Sequence, residues 1–192
     1  STPRVRGDER VLDEVLGRVP VTGEQDRGPN ERGPPLSDEG VELVALCDLD
    51  QAKLTRTAAE WGVPKTYSDF DTTITEAGLD AVAISSPSHL HTVQIAAALE
   101  RGRHVFSEKP LGTTVEECRI AEAAVEKHPD KVFMLGFMRR YDPSYAYAKK
   151  MLNEGKIGRP ILFRGYSQDP ESAIRGAIAY AGHSGGQFID MA

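Results

Sequence analysis

Long apolar runs are missing from this sequence: nothing in it approaches the roughly 18 residues of a membrane span, so no membrane role is expected. It also has no lysine or arginine cluster. With 29 acidic against 23 basic side chains its formal net charge is −6, and the footprint needed to neutralise many phosphates is absent. Nucleic acid is therefore not an expected partner. Cysteine is scarce: Cys47 and Cys118 stand far apart, offer no zinc-type spacing and read as small buried apolar residues. No basic start leads into an apolar core and a small-residue cleavage site, so a cytoplasmic setting is expected. A dinucleotide-binding glycine turn is not evident either. The glycines at 17, 23, 28, 33 and 40 do not match G-x-G-x-x-G, and no run of four apolar residues precedes them.

What is present is an alternation. The 192 residues, 40% hydrophobic and 27% charged, suffice for one full domain and the beginning of a second. From Val41 onward short apolar strands alternate with amphipathic helices, which predicts an α/β fold: a parallel sheet with covering helices, spanning 41–158. Val41 to Cys47 reads as a strand buried on both faces, followed by a helix capped by Asp50 and closed by Gly62. Ala81 to Ser85 is a second strand, stopped by Pro87, with a helix from about Thr92 to Arg101. His104 to Ser107 is a third strand, and Val132 to Phe137 a further one. Thr114 and Glu117 form a capping box for a helix running to about Lys127. Pro143 and Gly155 bracket a last helix, and Pro160 to Gly165 opens a new strand within 159–192, where the second domain would begin.

Residues 1–40 differ. Gly23 to Gly40 is rich in Gly, Pro and charge, which predicts a disordered loop; Asp8 to Leu16 suggests one short amphipathic helix. If no first strand exists, the sheet has a vacancy between the Val41 and Ala81 strands, which residues near Val19 to Val21 would have to fill.

Several residues stand where open α/β sheets bind ligands, at the carboxyl ends of strands. Asp48 ends the first of these strands, where a carboxylate either accepts from the ribose hydroxyls of NAD or merely begins a turn. Ser86, Pro87, His89 and His91 follow the next, with the two histidines readable as ligands or as surface and capping groups. Glu108-Lys109-Pro110 follows His104 to Ser107 and places an ammonium at a strand end, as a catalytic group or an ordinary surface lysine. Asp190 is a candidate acid to pair with Lys109.

Together Val41 to Asp48, Ser86 to His91, Glu108 to Leu111, Gly136-Phe137-Met138-Arg139-Arg140-Tyr141-Asp142 and Ser184 to Met191 resemble the Gfo/Idh/MocA oxidoreductase family, and most of all its inositol 2-dehydrogenase branch. The resemblance implies a Rossmann domain joined to a larger α/β domain that shapes the substrate site and commonly mediates homo-oligomers. It implies NAD as cofactor and a polyol or sugar ring as substrate. Asp48 would face the adenosine ribose, and Ser86, Pro87 and His91 would line the cofactor cleft. Glu108 and Lys109 would sit by the nicotinamide, Met138 and Arg139 would contact substrate, and Lys109 and Asp190 would be catalytic. The family's usual base, a histidine four residues after the aspartate, falls beyond Ala192, and Ser88 replaces a common asparagine. Two expectations follow: an NAD-dependent dehydrogenase, or a truncated, catalytically inactive relative serving as a binding or assembly module.

Overall fold

The computed structural model describes residues 41–75, 78–166, 168 and 178. They fall into two units that meet in sequence at Asp80 and Ala81.

In the first unit, β1 (Ala45–Cys47) pairs in parallel with β2 (Lys65–Tyr67), with Ala45 opposite Lys65 and Cys47 opposite Tyr67. The ladder is extended by the bond from the Asp48 N–H to the Tyr67 carbonyl, at 3.2 Å. Strand β1 is shorter than the apolar run suggests because its partner is short: Pro64 precedes β2 and has no N–H to offer a ladder. Between the strands runs α1 (Gln51–Trp61). Asp50 caps it, accepting from the Ala52 and Lys53 N–H groups at 3.0 Å each, and Gly62 closes it at φ 67°. This left-handed conformation suits glycine. Among the unit's described residues, Leu54 and Ala58 of α1 are buried with Val63 and, from α2 (Phe70–Thr75), Thr73 and Ile74. Cys47 is exposed and Cys118 half-buried, so neither is the core residue expected.

The second unit holds a parallel sheet of β3 (Ala81–Ile84), β4 (His104–Ser107) and β5 (Phe133–Leu135), in that order. Ile84 lies opposite Ser107, and Ser107 opposite Leu135, so all three strands end level. Helix α3 (Ser88–Glu100) begins four residues before the expected start at Thr92. Pro87, at φ −56°, precedes it with its dihedral already near the helical value. Its buried side chains Ser88, His91, Thr92, Ile95, Ala98 and Leu99 recur every three or four residues, one face of a helix. The first three are polar, which hides that face from a search for apolar periodicity. Ile84, Val105 and Ala121 of α4 (Val115–Lys127) complete the core.

Helix α4 carries the expected capping box. The Glu117 N–H donates to the Thr114 hydroxyl at 3.2 Å, and the Glu117 carboxylate accepts from the Thr113 N–H (2.6 Å), the Thr113 hydroxyl (2.9 Å) and the Thr114 N–H (3.2 Å). These bonds, that from the Thr113 N–H foremost, hold the Glu117 carboxyl below its ordinary value of 4.5. A carboxyl lowered by folding adds stability above its unfolded value and loses it as pH falls through the lowered one. Glu117→Gln should therefore cost about 1 kcal/mol near neutrality, the difference between a charge-assisted and a neutral set of bonds. In urea titrations that gap should close as pH drops below 4.5; a gap as wide at pH ~3 as at pH ~7 would show that the charge contributes nothing.

Helix α5 (Pro143–Asn153) starts on the Asp142 cap, whose carboxylate accepts from the Ser144 and Tyr145 N–H groups at 2.8 and 3.2 Å. The expected strand from Pro160 to Gly165 does not form. Those residues carry no regular secondary structure, with Ile161 94% exposed, because among the described residues no strand lies beside them to complete a ladder. Val19 to Val21 and the short helix expected at Asp8 to Leu16 lie outside the described residues. Within the described residues β1 pairs only with β2. No described helix is long and apolar enough to cross a membrane.

Candidate active site

Because β3, β4 and β5 end level, the loops that follow them gather at one edge of the sheet. Ser86-Pro87 leaves β3, Glu108-Lys109-Pro110 leaves β4, and Gly136-Phe137 leaves β5. Two main-chain bonds continue the ladder into these loops: the Glu108 N–H donates to the Ile84 carbonyl at 2.9 Å, and the Gly136 N–H to the Ser107 carbonyl at 2.8 Å. Glu108 is exposed and Lys109 half-buried, and the Lys109–Pro110 peptide is cis. Gly136 permits this crowding: a Cβ there would lie 3.1 Å from Phe106 Cζ and 3.3 Å from Glu108 Oε2.

The β4 loop is anchored to α3 from below. His91, 1% exposed, places Nδ1 2.8 Å from the Pro110 carbonyl and Nε2 2.8 Å from the Ser86 carbonyl. Thr92, also buried, donates its hydroxyl to the Leu111 carbonyl at 3.1 Å. The Ser86 hydroxyl donates to Gln94 Oε1. His89 lies on the exposed side of the same helical turn, so the His-x-His pair is helical rather than the loop expected from sequence. Among the described residues no three His, Cys, Asp or Glu side chains are placed to hold a metal. Further along the loop, a Cβ on Gly112 would meet Glu117 Cβ at 2.8 Å, Thr92 Oγ1 at 3.1 Å and the Cys118 N at 3.3 Å. Gly112→Ala should destabilise the chain by about 1–3 kcal/mol, the usual cost of overpacking. Urea unfolding checks this, and an unchanged midpoint would mean that α4 yields freely.

After β5, a 3₁₀ turn (Met138–Arg140) presents Met138 and Arg139, both exposed. The Arg139 guanidinium lies over the Tyr145 ring, 5.3 Å from its centroid. Asp190 lies outside the described residues.

In the first unit, Asp48 stands just past β1. Its Oδ1 accepts from the Asp50 N–H at 2.9 Å, and its Oδ2 lies 2.6 Å from Lys53 Nζ. The bond from Lys53, with the Asp50 N–H next, lowers the Asp48 pKa. The group is an anion at neutral pH and stays accessible, with 31% of its side chain exposed.

A carboxylate past one strand of a parallel pair, and a Glu-Lys-Pro loop at the level edge of a parallel sheet, fit a dinucleotide-dependent oxidoreductase. A model of the Gfo/Idh/MocA oxidoreductase family, described by its NAD-binding Rossmann fold, matches residues 25–137. The chain belongs to this family. Among members of the Gfo/Idh/MocA family, a scyllo-inositol 2-dehydrogenase (NAD(+)) of Bacillus subtilis is 37% identical over 151 residues, covering 79% of this chain and 43% of that protein. An inositol 2-dehydrogenase of Salmonella typhimurium is 35% identical over 130 residues, 66% of this chain and 38% of its own length. The crystal structure of scyllo-inositol dehydrogenase from Lactobacillus casei with bound NAD(H) and scyllo-inositol superposes with a TM-score of 0.72 at 42% identity, over 78% of this chain and 44% of that one. The chain thus spans less than half the length of these relatives.

The family match covers the strand-end residues Asp48, Ser86, Glu108 and Lys109. The structure adds Lys53 and Tyr145, which the sequence reading did not name, and gives a place at the site to Thr92 and Gly136, which it read only as a helix start and as part of a motif. Lys53 had a signal, lying one helical turn inside the cap that follows Asp48. Thr92 had one as well, adjoining His91 on a face that only the helix start at Ser88 makes visible.

Proposed function

We propose that this chain carries the cofactor half of an NAD-dependent dehydrogenase that oxidises a ring carbinol of a polyol or sugar, with inositols as the favoured class. The Glu108-Lys109-Pro110 loop at the level ends of β3, β4 and β5 carries this reading, and the inositol dehydrogenases among the relatives support the substrate class. When bound, NAD supplies the hydride acceptor. Asp48 would accept hydrogen bonds from the adenosine ribose hydroxyls, its lowered pKa keeping it charged for that purpose. Ser86, Pro87 and Glu108 would border the cofactor, with His91 beneath them. The Lys109 ammonium would stabilise the negative charge that develops on the reacting oxygen as its proton leaves. Asp190 would serve as the acid beside it, and Met138 and Arg139 would contact the ring hydroxyls. A homo-oligomer and a cytoplasmic setting belong to the same reading. The exposed Tyr145, Tyr147 and Phe163 favour the first, which gel filtration over a range of concentrations would test.

Calorimetric titration with NAD, with and without myo-inositol, is the decisive experiment, followed by spectrophotometry for NADH. Saturable binding with NADH formation supports the dehydrogenase. Saturable binding without turnover supports a binding module, the second reading, and no binding up to millimolar NAD would refute both.

A further inference from the structure

We infer that His91 is a positioning residue for Lys109: a rigid ring that ties the loop after β4 to the loop after β3 and so sets the main-chain path on which the lysine sits. This rests on the proposed role of Lys109, since that side chain is what the path would serve.

The ring is almost wholly buried, and each of its nitrogens lies 2.8 Å from a main-chain carbonyl, Pro110 on one side and Ser86 on the other. Carbonyl oxygens only accept, so a ring with one N–H donates to one of the two loops and a ring with two donates to both. A side chain serving only to fill the core would be cheaper if apolar, because a buried imidazole is tolerated only where its polar atoms find partners. Here both partners belong to the loops that border the candidate site.

The neighbouring bonds show what the tie accomplishes. Upstream of Lys109, the Glu108 N–H is fixed to the Ile84 carbonyl; downstream, the Pro110 and Leu111 carbonyls are fixed to His91 and Thr92. Lys109 lies between these anchors. Two successive residues of α3 thus hold two successive carbonyls of the β4 loop, and the helix that packs the core also orients the loop.

His91→Phe keeps the ring and removes both polar atoms, His91→Gln keeps one donor, and Ile95→Val trims the same helix one turn on without touching the loop. Amide hydrogen exchange is followed at Glu108 and Thr113, both hydrogen-bonded, against Leu99 within α3. In His91→Phe the two loop amides should exchange at least about tenfold faster relative to Leu99 than in Ile95→Val, with His91→Gln between. The rate at which an amine-specific reagent labels Lys109 should change in the same order. Loop amides that exchange no faster in His91→Phe than in Ile95→Val would overturn the inference. Should the phenylalanine variant fail to fold, a glutamine variant whose loop protection and Lys109 labelling match the unmodified chain would overturn it equally. NADH fluorescence titration separates the two levels. If the unmodified chain binds no NADH, the proposed function falls and exchange alone decides the role of His91. If it binds, saturating NADH should slow the labelling of Lys109 in the unmodified chain and slow it far less in His91→Phe, and equal slowing in both would refute the link to Lys109.

Discussion

Lys109→Ala is expected to lower inositol-dependent NADH formation at least a hundredfold while changing NAD affinity only a few-fold. The asymmetry follows from where charge develops. The substrate hydroxyl is neutral when bound and gains negative charge only as hydride leaves its carbon, so an ammonium at that oxygen contributes most in the transition state. Groups that move a proton or stabilise such charge typically contribute about 10²–10⁴ in rate, and a hundredfold loss corresponds to about 2.7 kcal/mol. The residue's placement favours this role, with Glu108 N–H fixed before it and the Pro110 carbonyl fixed after it. Initial rates over a range of myo-inositol concentrations separate turnover from binding, and calorimetry gives the NAD affinity independently. A variant with unchanged turnover would remove Lys109 from the chemistry. One that loses NAD binding and turnover alike would make it a cofactor ligand instead.

Asp48→Asn should reverse the preference between the two nicotinamide dinucleotides. The carboxylate is expected to accept from the ribose hydroxyls of NAD and to repel the additional phosphate of NADP. Charge-assisted hydrogen bonds contribute about 1.5–3 kcal/mol, so NAD affinity should fall roughly ten- to a hundredfold. The second half of the reversal comes from Lys53. Its ammonium lies 2.6 Å from Asp48 Oδ2, and with the carboxylate neutralised it becomes an available cation beside the place where the extra phosphate would lie. NADP affinity should therefore rise, and the ratio of the two affinities should move by about a hundredfold or more. Parallel titrations with NADH and NADPH measure this ratio, and Asp48→Asn combined with Lys53→Ala should lose the gain for NADPH. An unchanged ratio would assign Asp48 only the turn it closes on the Asp50 N–H.

Helix ends were the most legible part of the sequence. Asp50 and Gly62, and Thr114 with Glu117, act through bonds to residues two to four positions away and form as their local pattern implies, and Pro143 opens its helix as expected, though the Asp142 cap before it was not read. His104 to Ser107 is a strand over the stretch its apolar pattern marks. Strand β2 and helix α2 went unread because Lys65-Thr66-Tyr67 is polar and Phe70–Thr75 spans little more than one turn. The strand read at Pro160 to Gly165 failed for a different reason: apolar residues mark strand tendency, but a strand exists only where another completes its hydrogen bonds.

The candidate site divides in the same way. Sequence alone determined that an ammonium, an acid and small residues stand at strand ends, because strand ends are local events. It could not determine that the three loops meet, which depends on Ile84, Ser107 and Leu135 lying in register across strands. Nor could it show that His91 turns inward to the Ser86 and Pro110 carbonyls, since the second of these contacts joins residues 19 positions apart. Local chemistry wrote the caps and the candidate residues; the parallel register and the buried face of α3 decided which of them stand together.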